Sequence, residues 1–362
     1  MYHRIFGFLF FGLVSALPVT GGVAHAAANG SIATSHYLTA IERAGNRLIA
    51  VGERGVILLS DDNGATWRRV ESGMDVTLTG LWSVDLQQIW AVGHEGTLLR
   101  SEDAGEHWTP VLQRSAVANL TLDEARRLKA SPVSADAQAL VDALERNAER
   151  MHETGSSEPL FSVMFTDPQH GFAVGAYGVV LQTNDAGRTW NAWLGHVENP
   201  RNLHLYAITQ VNGVIYVAGE QGFLAKSTDQ GEHFAKVDTG FSGSFFTLSS
   251  DANGAIYAGG LEGVAIRSAD QGMTWQALSG APKQSWVASR KGPDGTLIFA
   301  NANGGLFQIQ QATTFTALAY PKSGALSDFT YSSKGAVIAV GPAGTTHPLI
   351  SVSDTAVLEA HP

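Results

Sequence analysis

Cysteine is absent from all 362 residues. That excludes a disulfide framework, a thiol nucleophile, a thiolate metal site and a lipid attached through a thioether. Charge is also scarce: 15% of the residues are Asp, Glu, Lys or Arg, and the 33 acids outnumber the 23 bases. A net charge of −10 argues against nucleic acid and against a purely electrostatic hold on anionic lipid. The 12 histidines are scattered, without His-x-His or His-Glu-x-x-His spacing, so we expect no metal and no cofactor. There is no Gly-x-Ser-x-Gly elbow and no phosphate loop, which removes two common catalytic frames. Beyond the first residues no stretch is long and apolar enough to cross a bilayer.

The start of the chain reads as an export signal. Arg4 supplies a positive charge, Ile5 to Leu17 form a short apolar run, and Pro18 to Gly22 break it. Ala24-His25-Ala26 has the small-x-small spacing of a signal-peptidase site. We expect a signal peptide over 1–26, cleavage near Ala26, and an exported chain, periplasmic or lumenal, folded over 27–362. Loss of Arg4 leaves 22 bases against 33 acids.

What the sequence has in quantity is glycine, 40 residues of it, and a repeat. An apolar pair, a Gly-x-x-Gly turn, a second apolar run and Ser/Thr-x-Asp-x-Gly-x-x-aromatic recur in that order. The full form appears as LIAVGERGVILLSDDNGATW (48–67) and IWAVGHEGTLLRSEDAGEHW (89–108). It returns as GFAVGAYGVVLQTNDAGRTW (171–190), IYVAGEQGFLAKSTDQGEHF (215–234) and IYAGGLEGVAIRSADQGMTW (256–275). LIFANANGGLFQIQQATTF (297–315) keeps the strands without the Asp and Gly, and VIAVGPAGTTHPLISVS (337–353) keeps only the first half. Equivalent turn positions are Gly52, Gly93, Gly175, Gly219, Gly260, Asn301 and Gly341, spaced by 41, 82, 44, 41, 41 and 40. A period near forty with four strand-like segments is one propeller blade, and seven copies make an all-β, seven-bladed β-propeller. Either residues near Ile32 or the tail around Val357 would close the ring as the last outer strand.

Each repeat also carries an aromatic near the start of its first strand: Tyr37, Trp82, Phe161, Tyr206, Phe246, Trp286 and Phe329. Two readings are open. The series fills the core between blades, or it forms a ring for stacking a ligand.

The Asp box reads as a turn device. In the first copy Asp62 would accept hydrogen bonds from turn amides, Gly64 would take positive φ, and Trp67 would cover the turn. The same roles fall to Asp103, Gly105 and Trp108; to Asp185, Gly187 and Trp190; to Asp229, Gly231 and Phe234; and to Asp270, Gly272 and Trp275. Calcium is not expected, because the spacing differs from an EF-hand loop and no twelfth-position Glu follows.

Asp boxes so arranged belong to bacterial-neuraminidase-repeat propellers. Their pairing with Gly-x-x-Gly behind a signal peptide resembles the photosystem II stability and assembly factor family and its relatives in non-photosynthetic bacteria. The likeness covers about residues 36 to 353, apart from one insertion. It implies a non-enzymatic scaffold that binds a membrane or envelope protein complex. The photosynthetic members engage lumenal regions of nascent photosystem subunits through basic patches. This chain is acidic, which points instead to a membrane transporter or another envelope complex.

Strand order puts the Gly-x-x-Gly turns on the face that propellers usually offer to ligands, opposite the Asp boxes. A candidate partner-binding collar is therefore Glu53, Arg54, His94, Glu95, Tyr177, Glu220, Gln221 and Glu262. Its four glutamates would receive a basic loop or tail; solvated turn tips are the plainer reading. Between Trp108 and Phe161 the pattern breaks, and 113–159 reads as a helical insertion between blades 2 and 3. Thr121-Leu122-Asp123-Glu124 looks like a capping box opening one helix through Lys129. Leu140, Val141, Leu144, Ala148 and Met151 share a face of a second. This arm would either dock a partner at the collar or pack on the rim.

The enzymatic alternative is a glycoside hydrolase of the sialidase type, or a glycan-binding propeller. Sialidase chemistry needs a cluster of arginines around the substrate carboxylate, a Tyr activated by Glu, and an acid. The Arg-Ile-Pro signature is missing, and no first-strand Arg recurs among the 15 arginines beyond the leader. A Glu53–Glu95 carboxylate pair is the remaining glycosidase candidate, and otherwise no catalytic residue is assigned.

Overall fold

Each repeat of about forty residues folds as one antiparallel sheet whose strands pair in chain order. The computed structural model describes residues 36–130, 135–154, 157–320, 324–345 and 349; the expected leader and both expected ring-closing segments lie outside the described residues. Seven sheets result, six of four strands and a last one with three described strands, Asp328–Tyr331, Val337–Gly341 and Gly344–Thr345. In blade 1 the strands are Leu38–Ala44, Arg47–Gly52, Ile57–Ser60 and Arg68–Val70. Inner strands contact those of the next blade around the circle, and the last, Asp328–Tyr331, returns to Leu38–Ala44. This is the seven-bladed propeller expected from the spacing.

The second strand of each repeat explains why blades stack. Ile89–Gly93, Gly171–Gly175, Ile256–Gly260 and Val337–Gly341 are buried at every position. Side chains alternate between faces, so a strand buried throughout must be covered by a neighbouring blade on each side. A lone blade would leave half of that apolar surface in water.

The Asp box supplies the contact from one blade to the one before it. Ser60 Oγ accepts from the Gly64 amide at 2.9 Å and donates to Asp62 Oδ1 at 2.8 Å. Asp62 Oδ1 also accepts the Thr66 amide at 2.8 Å, and Oδ2 the Thr66 hydroxyl at 2.6 Å. Asp103, Asp185, Asp229 and Asp270 each accept the amide four residues on in the same way. Gly187 has φ +75°, and a Cβ there would sit 2.2 Å from the Trp90 ring of the preceding blade. Gly231 is held equally close by Phe172. Trp67 and Trp108 donate Nε1 to the carbonyls of Gly64 and Gly105 at 3.1 and 2.9 Å.

Blade 6 has lost this device, and in blade 7 no copy falls among the described residues, so blade 7 is joined to blade 6 by other means. Arg290, on the inner strand of blade 6, donates to Asp328 Oδ2 of blade 7 at 3.0 Å. It also donates to Glu42 Oε2 and the Ile41 carbonyl of blade 1, at 3.1 and 3.0 Å. Asp328 Oδ2 accepts the Ile41 amide at 3.0 Å, so one carboxylate bridges both neighbours. Burial opposes the guanidinium charge, but the two carboxylates outweigh it and raise its pKa. On the outer side the blade 1 Asp box packs on Ile338, and Asn63 Oδ1 accepts both the amide and hydroxyl of Ser333 at 2.8 Å.

Two expectations need correction. The seven aromatics are not equivalent: Trp286 and Phe329 are fully buried between blades, whereas Tyr37 is exposed and Trp82, Phe161, Tyr206 and Phe246 line the channel. The aromatic stands at different positions of the inner strand, first at Trp286 and second at Phe246, and an offset of one residue turns a side chain to the other face. The capping box is absent too. Helix α1 runs Ser115–Lys129, and Thr121 lies within it, its hydroxyl donating to the Val117 carbonyl at 2.8 Å. The helix begins earlier because Val117 and Ala118 are buried beneath it. Helix α2, Ala135–Thr154, buries Val141, Leu144, Ala148 and Met151; the Leu140 side chain lies outside the described residues. The contacts of α1 with blade 3 are at Asn191–Ala192 and Leu194–His196, on the rim.

Arg290→Ala should cost about 2–3 kcal/mol, reduced from the fully buried figure because the side chain retains some solvent contact. Denaturant midpoints of Arg290→Ala, Asp328→Ala and the double variant test this; the double should fall well short of the sum. The Asp boxes set an acid limit. Hydrogen bonds from the residue four positions on, against opposing burial at Asp103, lower Asp103 and Asp185 to about 2 from an ordinary 3.8. Their contribution is whole above the unfolded value and disappears as pH falls through the folded one. Thermal melts should therefore hold their midpoint down to the ordinary carboxylate range, then drop toward pH about 2. Asp185→Asn should be less stable at neutral pH and show a shallower drop.

Candidate functional site

The collar turns share one geometry. After the second strand the chain makes a single 3-10 turn whose middle residue has positive φ: Arg54, Tyr177, Gln221 and Glu262 at 51–54°. Glu95 takes the same conformation at 55°. Glycine precedes each turn because the chain entering the same blade lies on top of it. A Cβ on Gly52 would meet the Tyr37 carbonyl at 2.1 Å, and on Gly219 that of His204 at 2.1 Å.

These tips divide the collar residues into two kinds. Glu53 and Glu220 sit at the first turn position and reach back to the incoming strand. The Tyr37 amide donates to Glu53 Oε1, and the His204 amide to Glu220 Oε2, each at 3.3 Å. Arg54, Glu95, Tyr177, Gln221 and Glu262 occupy the tip itself and are exposed, as is His94. Three tip amides are capped by the next blade: Tyr177 by His204 Nδ1 at 2.8 Å, Gln221 by Ser244 Oγ at 3.2 Å and Glu262 by Ser285 Oγ at 3.3 Å. The capping residue stands immediately before each inner strand, a repeat position with no shared residue type to reveal it.

Among the described residues none of the four collar glutamates makes an ion pair, whereas Arg54 reaches Asp75 at 3.5 Å and Arg201 is held by Gln221. The collar is therefore a set of separated carboxylates around a hydrophobic spot. Tyr177 is 44% and Leu261 43% exposed, and Tyr37 lies on the same face.

Inside the collar lies the central channel, a cavity of about 310 Å³. Its polar wall carries Glu42, Arg290 and Asp328, and its apolar wall Phe161, Tyr206 and Phe246. Sequence reading missed the first group because each charge occurs once, in a different blade, with no periodicity to reveal it. Burial, with Glu220 nearby, raises the Tyr206 phenol pKa, so the hydroxyl stays protonated. No group of three or more His, Cys, Asp or Glu able to hold a metal occurs among the described residues. The five Asp boxes turn at the opposite end of the blades from the collar.

Comparison with known proteins gives a family match. The model of a family described as photosynthesis system II assembly factor YCF48 matches residues 144–356. A photosystem II assembly lipoprotein Ycf48 of Synechococcus sp. (strain CC9902) is 32% identical over 90 residues, 24% of this chain and 27% of that protein. The match thus spans about a quarter of that relative. Two solved structures share the fold. A YCF48 from Cyanidioschyzon merolae aligns with TM-score 0.60 at 14% identity, over 86% of this chain and 94% of its own. A YCF48 bound to a D1 peptide aligns at 0.58 and 13%, over 86% and 92%.

Proposed function

This chain belongs to the photosynthesis system II assembly factor YCF48 family, and from that membership we propose that it is an exported, non-enzymatic scaffold. It docks through its collar face on a membrane protein complex during assembly. The family match over 144–356 carries the reading. That a solved YCF48 holds a D1 peptide supports a segment of a membrane subunit as the kind of ligand such a propeller takes. The collar supports it as well: an exposed Tyr177 and Leu261 among carboxylates without ionic partners suit an amphipathic, basic segment. A net charge of −10 favours a partner with basic exposed loops, an envelope complex such as a membrane transporter.

Glycoside cleavage finds less support. Arg290 is the one arginine lining the channel among the described residues, and Glu42 and Asp328 already engage its guanidinium. A substrate-carboxylate clamp needs several free arginines in one place. Glu53 and Glu95 sit on neighbouring collar turns, and Glu53 is occupied with the Tyr37 amide.

Crosslinked affinity purification of the exported protein from its own envelope, with mass spectrometry, tests the proposal. One membrane complex should be recovered repeatedly, and Glu95→Lys with Glu262→Lys should lower its yield about tenfold. These positions suit the test because both are exposed. Deletion of 113–159 would instead remove Val117 and Leu144, which fill the core shared by blades 2 and 3, and uncover Leu98 and Leu194. Recovery of no membrane protein, or undiminished recovery with the charge-reversed collar, would overturn the reading.

A further inference from the structure

The channel is lined unevenly. At the repeat position that follows Leu38 and its equivalents, blades 1, 2, 6 and 7 present Thr39, Thr79, Val287 and Ser327, while blades 3, 4 and 5 present Phe161, Tyr206 and Phe246. The Tyr206 ring lies 5.5 Å from Phe161 and 5.2 Å from Phe246. His204 continues the series 6.2 Å from Tyr206, and Tyr177 stands edge-on 4.6 Å from His204. The result is an aromatic ladder that starts at the exposed Tyr177 on the collar and ends inside the cavity.

The charge around the ladder has one sign in excess. Glu220 stands beside Tyr206 and His204, close enough to oppose ionisation of the phenol and to accept the His204 amide at 3.3 Å. Deeper in the channel one cation, Arg290, faces two carboxylates, Glu42 and Asp328. Aromatic faces are themselves negative and attract cations within about 6 Å of the ring centre. A cavity of about 310 Å³ is at the small end of ligand sites, suited to one long side chain entering from the collar.

We propose that the ladder Tyr177–His204–Tyr206–Phe161–Phe246, with Glu220 beside it, receives an arginine or lysine side chain projecting from an extended segment of the partner. The inference rests on the scaffold reading and adds the recognition chemistry. The cation stacks over the rings, Glu220 neutralises it, and the Thr39 and Thr79 wall leaves room opposite. Those threonines are already spent, their hydroxyls donating to the Leu78 and Leu160 carbonyls at 2.5 and 2.6 Å.

The test is an NMR titration of the full exported chain with a capped glycine-flanked arginine peptide and its citrulline counterpart, which keeps the shape and loses the charge. The arginine peptide should saturate and bind about tenfold more tightly than the citrulline one. Tyr206→Ala should weaken it about tenfold, while Tyr206→Phe should retain it, since the ring and not the hydroxyl makes the contact. Glu220→Gln should lower both the affinity and its dependence on salt. Equal binding of the two peptides, or arginine binding untouched by Tyr206→Ala and Phe246→Ala, overturns the proposal. So does saturable binding of chitotetraose that is lost in Tyr206→Ala while the arginine peptide does not bind, which would make the ladder a sugar platform. The capture experiment keeps the two readings apart. A complex captured by a chain that ignores the arginine peptide leaves the scaffold without this contact; arginine binding without any captured complex leaves the contact and removes the scaffold.

Discussion

A strand buried on both faces cannot be stable in a lone sheet, and this constraint governs the molecule. Ile256–Gly260 and its equivalents need a blade on each side, so the chain is stable only when the circle is complete. In blades 1 to 5 the Asp box helps to hold each boundary, its glycine pressed on the blade before. Blade 7 has no Asp box among the described residues to press on blade 6, and the join from blade 6 through blade 7 to blade 1 depends on Arg290, Asp328 and Glu42, three charges on three blades drawn together inside the channel. A single, unrepeated ion-pair cluster thus works at this join, where blades 1 to 5 use a repeated turn.

The two ends of the blades do different work. At the Asp-box end the polar groups are satisfied locally, carboxylate to amide within one turn, which leaves little to offer a partner. At the collar end the turns hold exposed tips in a left-handed conformation, and the caps that secure them come from the following blade. Side chains at the tips are consequently free to vary without disturbing the sheet. Among the described residues Glu95 and Glu262 make no side-chain hydrogen bond or ion pair there, and the Tyr177 ring rests edge-on against His204. Glu53 and Glu220 hold incoming strands, so they belong partly to the frame. The paired helices after blade 2 rise from a collar turn, the Arg114 amide bonded to the Glu95 carbonyl at 2.7 Å. They then lean outward on blade 3 and widen the rim.

The channel joins these themes. Its polar side, Arg290 with Glu42 and Asp328, is consumed by ring closure. Its ladder of rings, Phe161, Tyr206 and Phe246, belongs to blades 3 to 5, where Asp boxes already secure the boundaries and the inner wall is released from that task. Phe161, Tyr206 and Phe246 can face the open channel because core filling there is done by Leu160, Leu205 and Phe245, all fully buried. That division of labour places the candidate binding chemistry on the side of the ring that least needs its inner wall for stability.

Periodic features were legible in the amino-acid order alone. The forty-residue spacing set the number of blades. Ser60, Asp62 and Gly64 with their copies marked the turns, and the Gly-x-x-Gly tips located the collar. All three follow from local backbone rules that act the same way in every repeat. Features that depend on one blade meeting another were decided by the tertiary structure. Trp286 and Phe246 look equivalent along the chain, yet they face opposite sides because Trp286 pairs with Asn301 as Phe245 pairs with Gly260, which puts Phe246 one residue further along its strand. Arg290, Asp328 and Glu42 lie far apart in the chain and carry no pattern, so only closure of the circle brings them together. The acids and aromatics could be counted beforehand; which carboxylates hold the frame, and which rings line the channel, depended on how seven similar sheets meet around one axis.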